Sequence, residues 1–189
     1  MKISPGDIAF DVDGVFADTF RVFVKVARNR YGCKVDYEKI TEYDFTSVVD
    51  MDERISEEII GSLILHPLEN GIRPIDGAVE VLTRLATTGP LLFVTARPEK
   101  KPILKWIHTH LPEVDAALIR LEATTTHQAK LSVLVEQGIR YFVEDRLETG
   151  YLLETASITP IIFEQPWNRK PHAFKVVRNW QEISELIQW

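Results

Sequence analysis

Two aspartates two residues apart, in Asp11-Val12-Asp13-Gly14-Val15, directly follow an apolar run. Carboxylates that close repel one another, so a cation or a shared proton is expected between them. Gly14 lets the chain turn, so both side chains can face one crevice. A turn rich in Asp and Gly also occurs with no chemistry attached. A calcium loop of the EF-hand kind would need more oxygen ligands, where this chain continues with Phe16, Ala17 and Thr19. Thr95-Ala96-Arg97 offers a hydroxyl and free backbone N–H groups ahead of a helix beginning near Pro98, which makes an anion cradle. The bland use of Thr95 is a helix cap. Lys130 falls in the first turns of a helix starting near Thr126, where a cation opposes the helix dipole; its bland reading is a solvent-facing lysine. Glu144-Asp145-Arg146 sets a second carboxylate pair behind another apolar run, suited to a hard cation with oxygen ligands. A loop salt-bridged through Arg146 is the alternative.

These residues need a frame, and the pattern of apolar residues supplies one. Ile8–Val12, Leu91–Thr95, Ala117–Leu121, Tyr141–Val143, Ile158–Phe163 and Phe174–Val177 read as strands, the last nearer an edge. Helical periods separate them: Val79, Leu82 and Leu85; Ile103, Ile107 and Leu111; Leu131, Leu134 and Val135. Asp76 is placed to cap the first of these and Gly138 to close the third. Such alternation predicts an α/β fold, a Rossmann-like, mostly parallel sheet with helices on both faces. No convincing strand appears between Asp18 and Ile72. Phe20, Phe23, Val24, Ala27 and Tyr31 form one helical stripe closed by Gly32, and Ile55, Ile59 and Leu63 form another. One crossover helix does not need so long a segment. Residues 18–72 therefore read as a helical insertion after the first strand, where open α/β sheets bind ligands. Residues 1–17 and 73–189 read as the core.

The chain has 189 residues, 45% hydrophobic and 26% charged, which suits one globular domain with a modest insertion. Its formal net charge of −6, without a basic run, is a poor basis for holding a nucleic-acid polymer. A small phosphorylated ligand stays compatible, because a local site or a bound cation can reverse the local field. Cys33 is alone, which excludes an internal disulfide and a cysteine metal cluster. No apolar run approaches the roughly 20 residues that span a bilayer. The expectation is a cytoplasmic protein with no membrane partner. The five histidines read as surface, packing or loop residues, and Trp167 as a packed loop residue.

Taken in order, the four clusters resemble the four motifs of the haloacid dehalogenase phosphohydrolase superfamily. Asp11 and Asp13 match the first motif, Thr95 the second, Lys130 the third and Glu144-Asp145 the fourth. The resemblance implies a helical cap after the first motif, which the 18–72 insertion fits. Within the superfamily the chain is similar to the 5′(3′)-deoxyribonucleotidases, through Asp11 to Thr19, the small cap, Phe163-Glu164-Gln165-Pro166-Trp167-Asn168-Arg169 and Val177-Arg178-Asn179-Trp180. It departs from the pattern in two places. Its second motif reads Thr-Ala-Arg where some members carry Thr-Ser-Pro, and Glu144 stands where many relatives have Asp.

What the resemblance implies is a Mg²⁺-dependent phosphomonoester hydrolase, most plainly a 5′-nucleotidase. Asp11 is then the nucleophile and Asp13 the acid and base. Thr95, the backbone at Ala96 and Lys130 bind phosphate. Asp11, Asp13 (by its carbonyl), Asp145 and Glu144 (through water) hold the metal. Phe16, Phe20, Phe45 and Arg97 are candidates for substrate contact, and Arg97 could equally pair with a cap carboxylate. The same residues would serve a phosphotransferase on another small metabolite. A non-catalytic nucleotide-binding protein on this frame would be expected to have lost Asp11 or Asp13. The sequence leaves a homodimer open.

Overall fold

The structure is a computed structural model that describes residues 2–44 and 51–189. Six parallel strands make one sheet in the order β3-β2-β1-β4-β5-β6. They are β1 (Ile8–Phe10), β2 (Leu91–Thr95), β3 (Ile119–Ala123), β4 (Tyr141–Glu144), β5 (Thr159–Phe163) and β6 (Lys175–Val177). The helices are α1 (Thr19–Tyr31), α2 (Glu53–Leu65), α3 (Ala78–Ala86), α4 (Lys100–His110), α5 (Lys130–Glu136), α6 (Leu147–Glu154) and α7 (Trp180–Leu186). The central strands β1 and β2 are buried along their whole length because both faces are covered. Alternate residues serve opposite faces. Ile8, Phe10, Leu91, Phe93 and Val143 join the core beneath α3, α4 and α7. Ala9, Leu92, Val94 and Phe142 meet Leu134 of α5 and Leu153 of α6 on the other side.

The expected strands are all present, with shifted ends. β3 starts two residues late because Asp115 accepts from the Ala117 N–H at 2.9 Å and winds Ala116–Leu118 into a short 3-10 turn. β6 is an edge strand, as expected. Two apolar stripes rotate away from the expected ones. α3 buries Ala78, Val81, Leu82 and Leu85 and leaves Val79 exposed, and α5 leaves Val135 exposed. Asp76 does not cap α3; Gly77 occupies that position, and no side chain bonds there.

The chain leaves β1 for β2 on one side and returns to β4 on the other. The carboxyl ends of β1 and β4 therefore flank a point where strand order reverses, a place where such sheets form a crevice. Between β1 and β2 the described residues of segment 18–72 hold α1, α2 and a 3-10 turn at Tyr37–Lys39, with no strand. No described helix is long and apolar enough to cross a membrane.

Candidate active site

Asp11 is the first residue past β1, and its N–H still bonds to the Val143 carbonyl of β4 at 2.9 Å. That bond fixes the backbone on which the carboxylate sits. The chain then turns tightly, with the Phe16 and Ala17 N–H groups both donating to the Val12 carbonyl. Gly14 takes φ +74, and a Cβ there would lie 2.0 Å from Asp145 Oδ2. The residue that permits the turn thus also makes room for the carboxylate from the end of β4.

Asp11, Glu144 and Asp145 are all buried and offer carboxylate oxygens within 4.8 Å of one another. Lys130, fully buried at the start of α5, has its ammonium 2.9 Å from Asp11 Oδ2 and 2.9 Å from Glu144 Oε2. Its solvent-facing reading is therefore excluded. Glu144 Oε1 accepts from the Arg146 N–H, so both oxygens of Glu144 are engaged. Asp145 differs: neither of its buried carboxylate oxygens has a hydrogen-bond partner among the described residues. One ammonium cannot balance three buried carboxylates. Burial, followed by the neighbouring Glu144 and Asp11 charges, pushes Asp145 well above the usual carboxylate range. Burial also drives Asp11 up to about 8, against the pull of Lys130 and with the help of Glu144. An all-oxygen cluster with an orphaned carboxylate fits a hard divalent cation such as Mg²⁺.

Asp13 is governed by a different neighbour. Arg97 grips it with two N–H groups, Nε to Oδ2 at 2.8 Å and Nη2 to Oδ1 at 2.7 Å, and the Thr19 hydroxyl also donates to Oδ1. Burial alone would raise Asp13, but the Arg97 guanidinium outweighs it and holds the carboxyl below its ordinary range. The rest of the Arg97 fork donates to carbonyls at the end of α2, not to a carboxylate of that segment. Thr95 closes β2, fully buried, and its Oγ accepts from the Arg97 N–H at 3.2 Å.

A cavity of about 420 Å³ opens over these groups. Asp11, Asp13, Thr95, Ala96 and Arg97 line its floor. Phe20 and Phe23 of α1 with Ile60, Leu63 and Ile64 of α2 form an apolar wall, and Tyr43, His127 and Arg146 form a more polar one. The Tyr43 ring stands 5.2 Å from the His127 ring and 5.2 Å from the Arg146 guanidinium. Burial, then Lys130 and Arg146, lowers His127 to about 3, so its imidazole is neutral.

The description 5′ nucleotidase, deoxy (Pyrimidine), cytosolic type C protein matches residues 6–189. The chain belongs to this 5′ nucleotidase family. No curated protein gives a significant match. A haloacid dehalogenase-like family hydrolase from Streptococcus pneumoniae is similar in structure, with a TM-score of 0.62, 11% identity, and coverage of 97% of this chain and 98% of that one. A HAD-superfamily hydrolase from Ehrlichia chaffeensis gives 0.54 at 15% identity, covering 98% and 96%. CbbY from Rhodobacter sphaeroides, solved in complex with phosphate, gives 0.55 at 16% identity, covering 97% and 96%. Identities this low speak for the fold alone. The chain is thus a phosphatase by its family, built on the α/β fold of the haloacid dehalogenase-like hydrolases.

The sequence-predicted residues that the structure describes meet in one place with one exception. Phe16 is not in the cavity: it is fully buried in an aromatic core, its ring 5.5 Å from Phe93 and 4.9 Å from Trp106. The turn at Gly14 sends that side chain beneath the sheet edge rather than above it. Phe45 lies outside the described residues. Trp167 is buried and packs on Phe20 at 4.1 Å. His127, expected as a surface or packing residue, lines the cavity instead. Two positioning amides also escaped the sequence reading. Asn168 Nδ2 donates to the Asp145 carbonyl at 2.8 Å, and Gln165 Nε2 donates to the Gly14 carbonyl at 2.7 Å. The Tyr37 hydroxyl in turn donates to Gln165 Oε1 at 2.6 Å. The available signal was a pair of amides flanking Pro166-Trp167 in the loop after β5.

Proposed function

We propose that this chain hydrolyses nucleoside monophosphates, deoxyribonucleotides foremost, by phosphoryl transfer to Asp11, with residues 18–72 acting as a cap that selects the leaving group. The observation that carries this reading is the cavity itself. Its floor holds the Asp11 carboxylate beside an acidic cluster in which Asp145 is orphaned, and its apolar wall carries aromatic rings that a nucleoside base can meet. A Mg²⁺ ion would be held by Asp11, Asp145 and the Asp13 carbonyl, with Glu144 beside it as the counter-charge of Lys130. Once bound, it screens the nucleophile from the substrate's negative charge and neutralises charge on the phosphoryl group.

Asp11 attacks phosphorus, and the ester P–O bond breaks with its electron pair on the leaving oxygen. Asp13 supplies the proton that this oxygen needs. Arg97 holds Asp13 ionised before substrate enters, and the phosphoryl dianion brought against it favours uptake of the proton. Water then attacks the phosphorus of the aspartyl-phosphate while Asp13, now a carboxylate, takes the water's proton. Inorganic phosphate and free Asp11 result. Thr95, the Ala96 backbone and Lys130 hold the remaining phosphoryl oxygens. A small phosphorylated substrate is compatible with the formal net charge of −6 because a bound cation reverses the local field, and the setting proposed for the reaction is the cytoplasm.

Phosphate release measured over deoxyribonucleotides, ribonucleotides and sugar phosphates tests the reading, with Asp11→Asn as control. Nucleoside monophosphates should be turned over fastest, and Asp11→Asn should fall to background because an amide is not a nucleophile. Sugar phosphates turned over far faster than every nucleotide would remove the substrate class. Activity of Asp11→Asn near wild type, with deamidation excluded by mass, would remove the mechanism.

A further inference from the structure

We propose that Arg97 is a positioning residue that joins the aim of the Asp13 carboxylate to the seating of helix α2 over the core. The proposal rests on Asp13 as the proton donor to the leaving group. A guanidinium has five N–H donors in a rigid fork. Here Nε and Nη2 take Asp13 Oδ2 and Oδ1, and Nη2 also reaches the Thr19 Oγ at 3.4 Å. Nη1 donates to the Leu63 carbonyl at 3.1 Å and the Ile64 carbonyl at 3.3 Å. Every donor direction is therefore spoken for, on a residue only 4% exposed.

The two carbonyls belong to the last turn of α2, which has no intrahelical partners for them. A cation there also complements the negative end of the helix dipole. Thr19 is the first residue of α1 and donates to Asp13 as well. Both long helices of segment 18–72 thus end on the same carboxylate, one through a hydroxyl and the other through Arg97. If α2 lifts from the core, Nη1 loses both acceptors in a buried place, and the fork that orients Asp13 loses its anchor. If Asp13 turns away, Arg97 is left as a buried cation with only carbonyls and a hydroxyl. The aim of the acid and the closure of the apolar wall over a substrate are then a single event. Lysine cannot substitute, since its ammonium is a point charge without the planar fork.

The experiment combines Arg97→Lys, Arg97→Gln, Asp13→Asn and the Arg97→Gln/Asp13→Asn double variant. Single-turnover cleavage is measured with a nucleoside 5′-monophosphate and with p-nitrophenyl phosphate. Hydrogen exchange of the α2 amides is followed in the same proteins. An alkoxide leaving group needs the proton and a nitrophenolate does not. Both Arg97 variants should therefore slow the nucleotide more than the aryl ester, by about 10- to 100-fold, a part of the ~10²–10⁴-fold that general acid assistance contributes, since Asp13 itself is still present. α2 should exchange faster in both. In the Asp13→Asn background, Arg97→Gln should take nothing further from nucleotide cleavage. Equal slowing of both esters, full additivity in the double variant, or unchanged α2 exchange would overturn the coupling. If Asp13→Asn alone slows both esters equally, the acid reading itself falls and the proposal with it. Thr19→Val removes one donor from the same carboxylate and leaves Arg97 in place. It should show the same ester preference at smaller size, which keeps the test open if Arg97→Gln does not fold.

Discussion

Asp11 and Asp13 stand two residues apart, yet their surroundings push them in opposite directions. Asp11 shares its burial with Glu144 and Asp145 and is driven up to about 8, whereas Arg97 keeps Asp13 low. A carboxyl whose folded pKa lies above its unfolded value stabilises the fold while it is protonated. For Asp11 that contribution is complete below its ordinary value of 3.8 and is lost as pH rises towards about 8. Asp145 acts in the same sense. The metal-free protein should therefore lose thermal stability between about pH 5 and pH 8. Added Mg²⁺, which needs ionised ligands, should raise Tm by more at the upper end of that range. Melting curves with and without Mg²⁺ check this, and a gap that stays constant or narrows with pH would contradict it. Asp13 has its own signature. Asp13→Asn should slow aspartyl-phosphate formation from a nucleotide by ~10²–10⁴-fold and from p-nitrophenyl phosphate much less. Hydrolysis of the aspartyl-phosphate should slow alike for both, because the leaving group has already gone.

Elements matter through their ends. β1 stops at Phe10 and β4 at Glu144, so both acidic loops begin at the same level of the sheet. Gly14 lets them touch, and the loop after β5 ties them together through Gln165 and Asn168. Gly14→Ala should cost about 1–2 kcal/mol from its backbone conformation alone. The added Cβ must also displace the Asp145 carboxylate, so Mg²⁺ affinity measured by calorimetry should fall together with the denaturation midpoint. Retained affinity would mean that Asp145 does not hold the ion. Asn168→Ala acts one step further out. It leaves the buried Asp145 and Phe163 carbonyls without their amide donor, a loss of ~1–3 kcal/mol, read from the same denaturation curves.

The whole molecule sets what reaches the site. Segment 18–72 places Phe20, Phe23, Leu63 and Ile64 along one wall of the cavity, and the core loops place His127 and Arg146 on another. A planar base suits the first wall, and its polar edge suits the second. Phe20→Ala should raise KM for nucleoside monophosphates about tenfold or more, given the area an aromatic side chain covers. It should change the rate on p-nitrophenyl phosphate little, since that small ester needs less of the wall. Parallel losses on both substrates would place Phe20 in support of the fold rather than in recognition, a real alternative given its packing on Trp167.

The sequence by itself determined the sheet, its helices and the residues of the acidic floor. The sheet and helices follow from local periodicity, and the floor from four charged clusters whose order resembles the haloacid dehalogenase motifs. It pointed to Asp11, Asp13, Thr95, Lys130 and Asp145, and the structure brings them to one edge of the sheet. It misjudged Phe16, because which side of a turning loop faces the core depends on the elements packed beneath. It could not show that Lys130 is buried between Asp11 and Glu144, that Arg97 grips Asp13 and the end of α2, or that His127 faces the cavity. Those contacts join residues at least 14 positions apart, and only the packing of one element on another brings them within hydrogen-bond reach. The same packing removes the water that would otherwise screen their charges, so it alone decided which carboxylate is held ionised and which is pushed towards its neutral form.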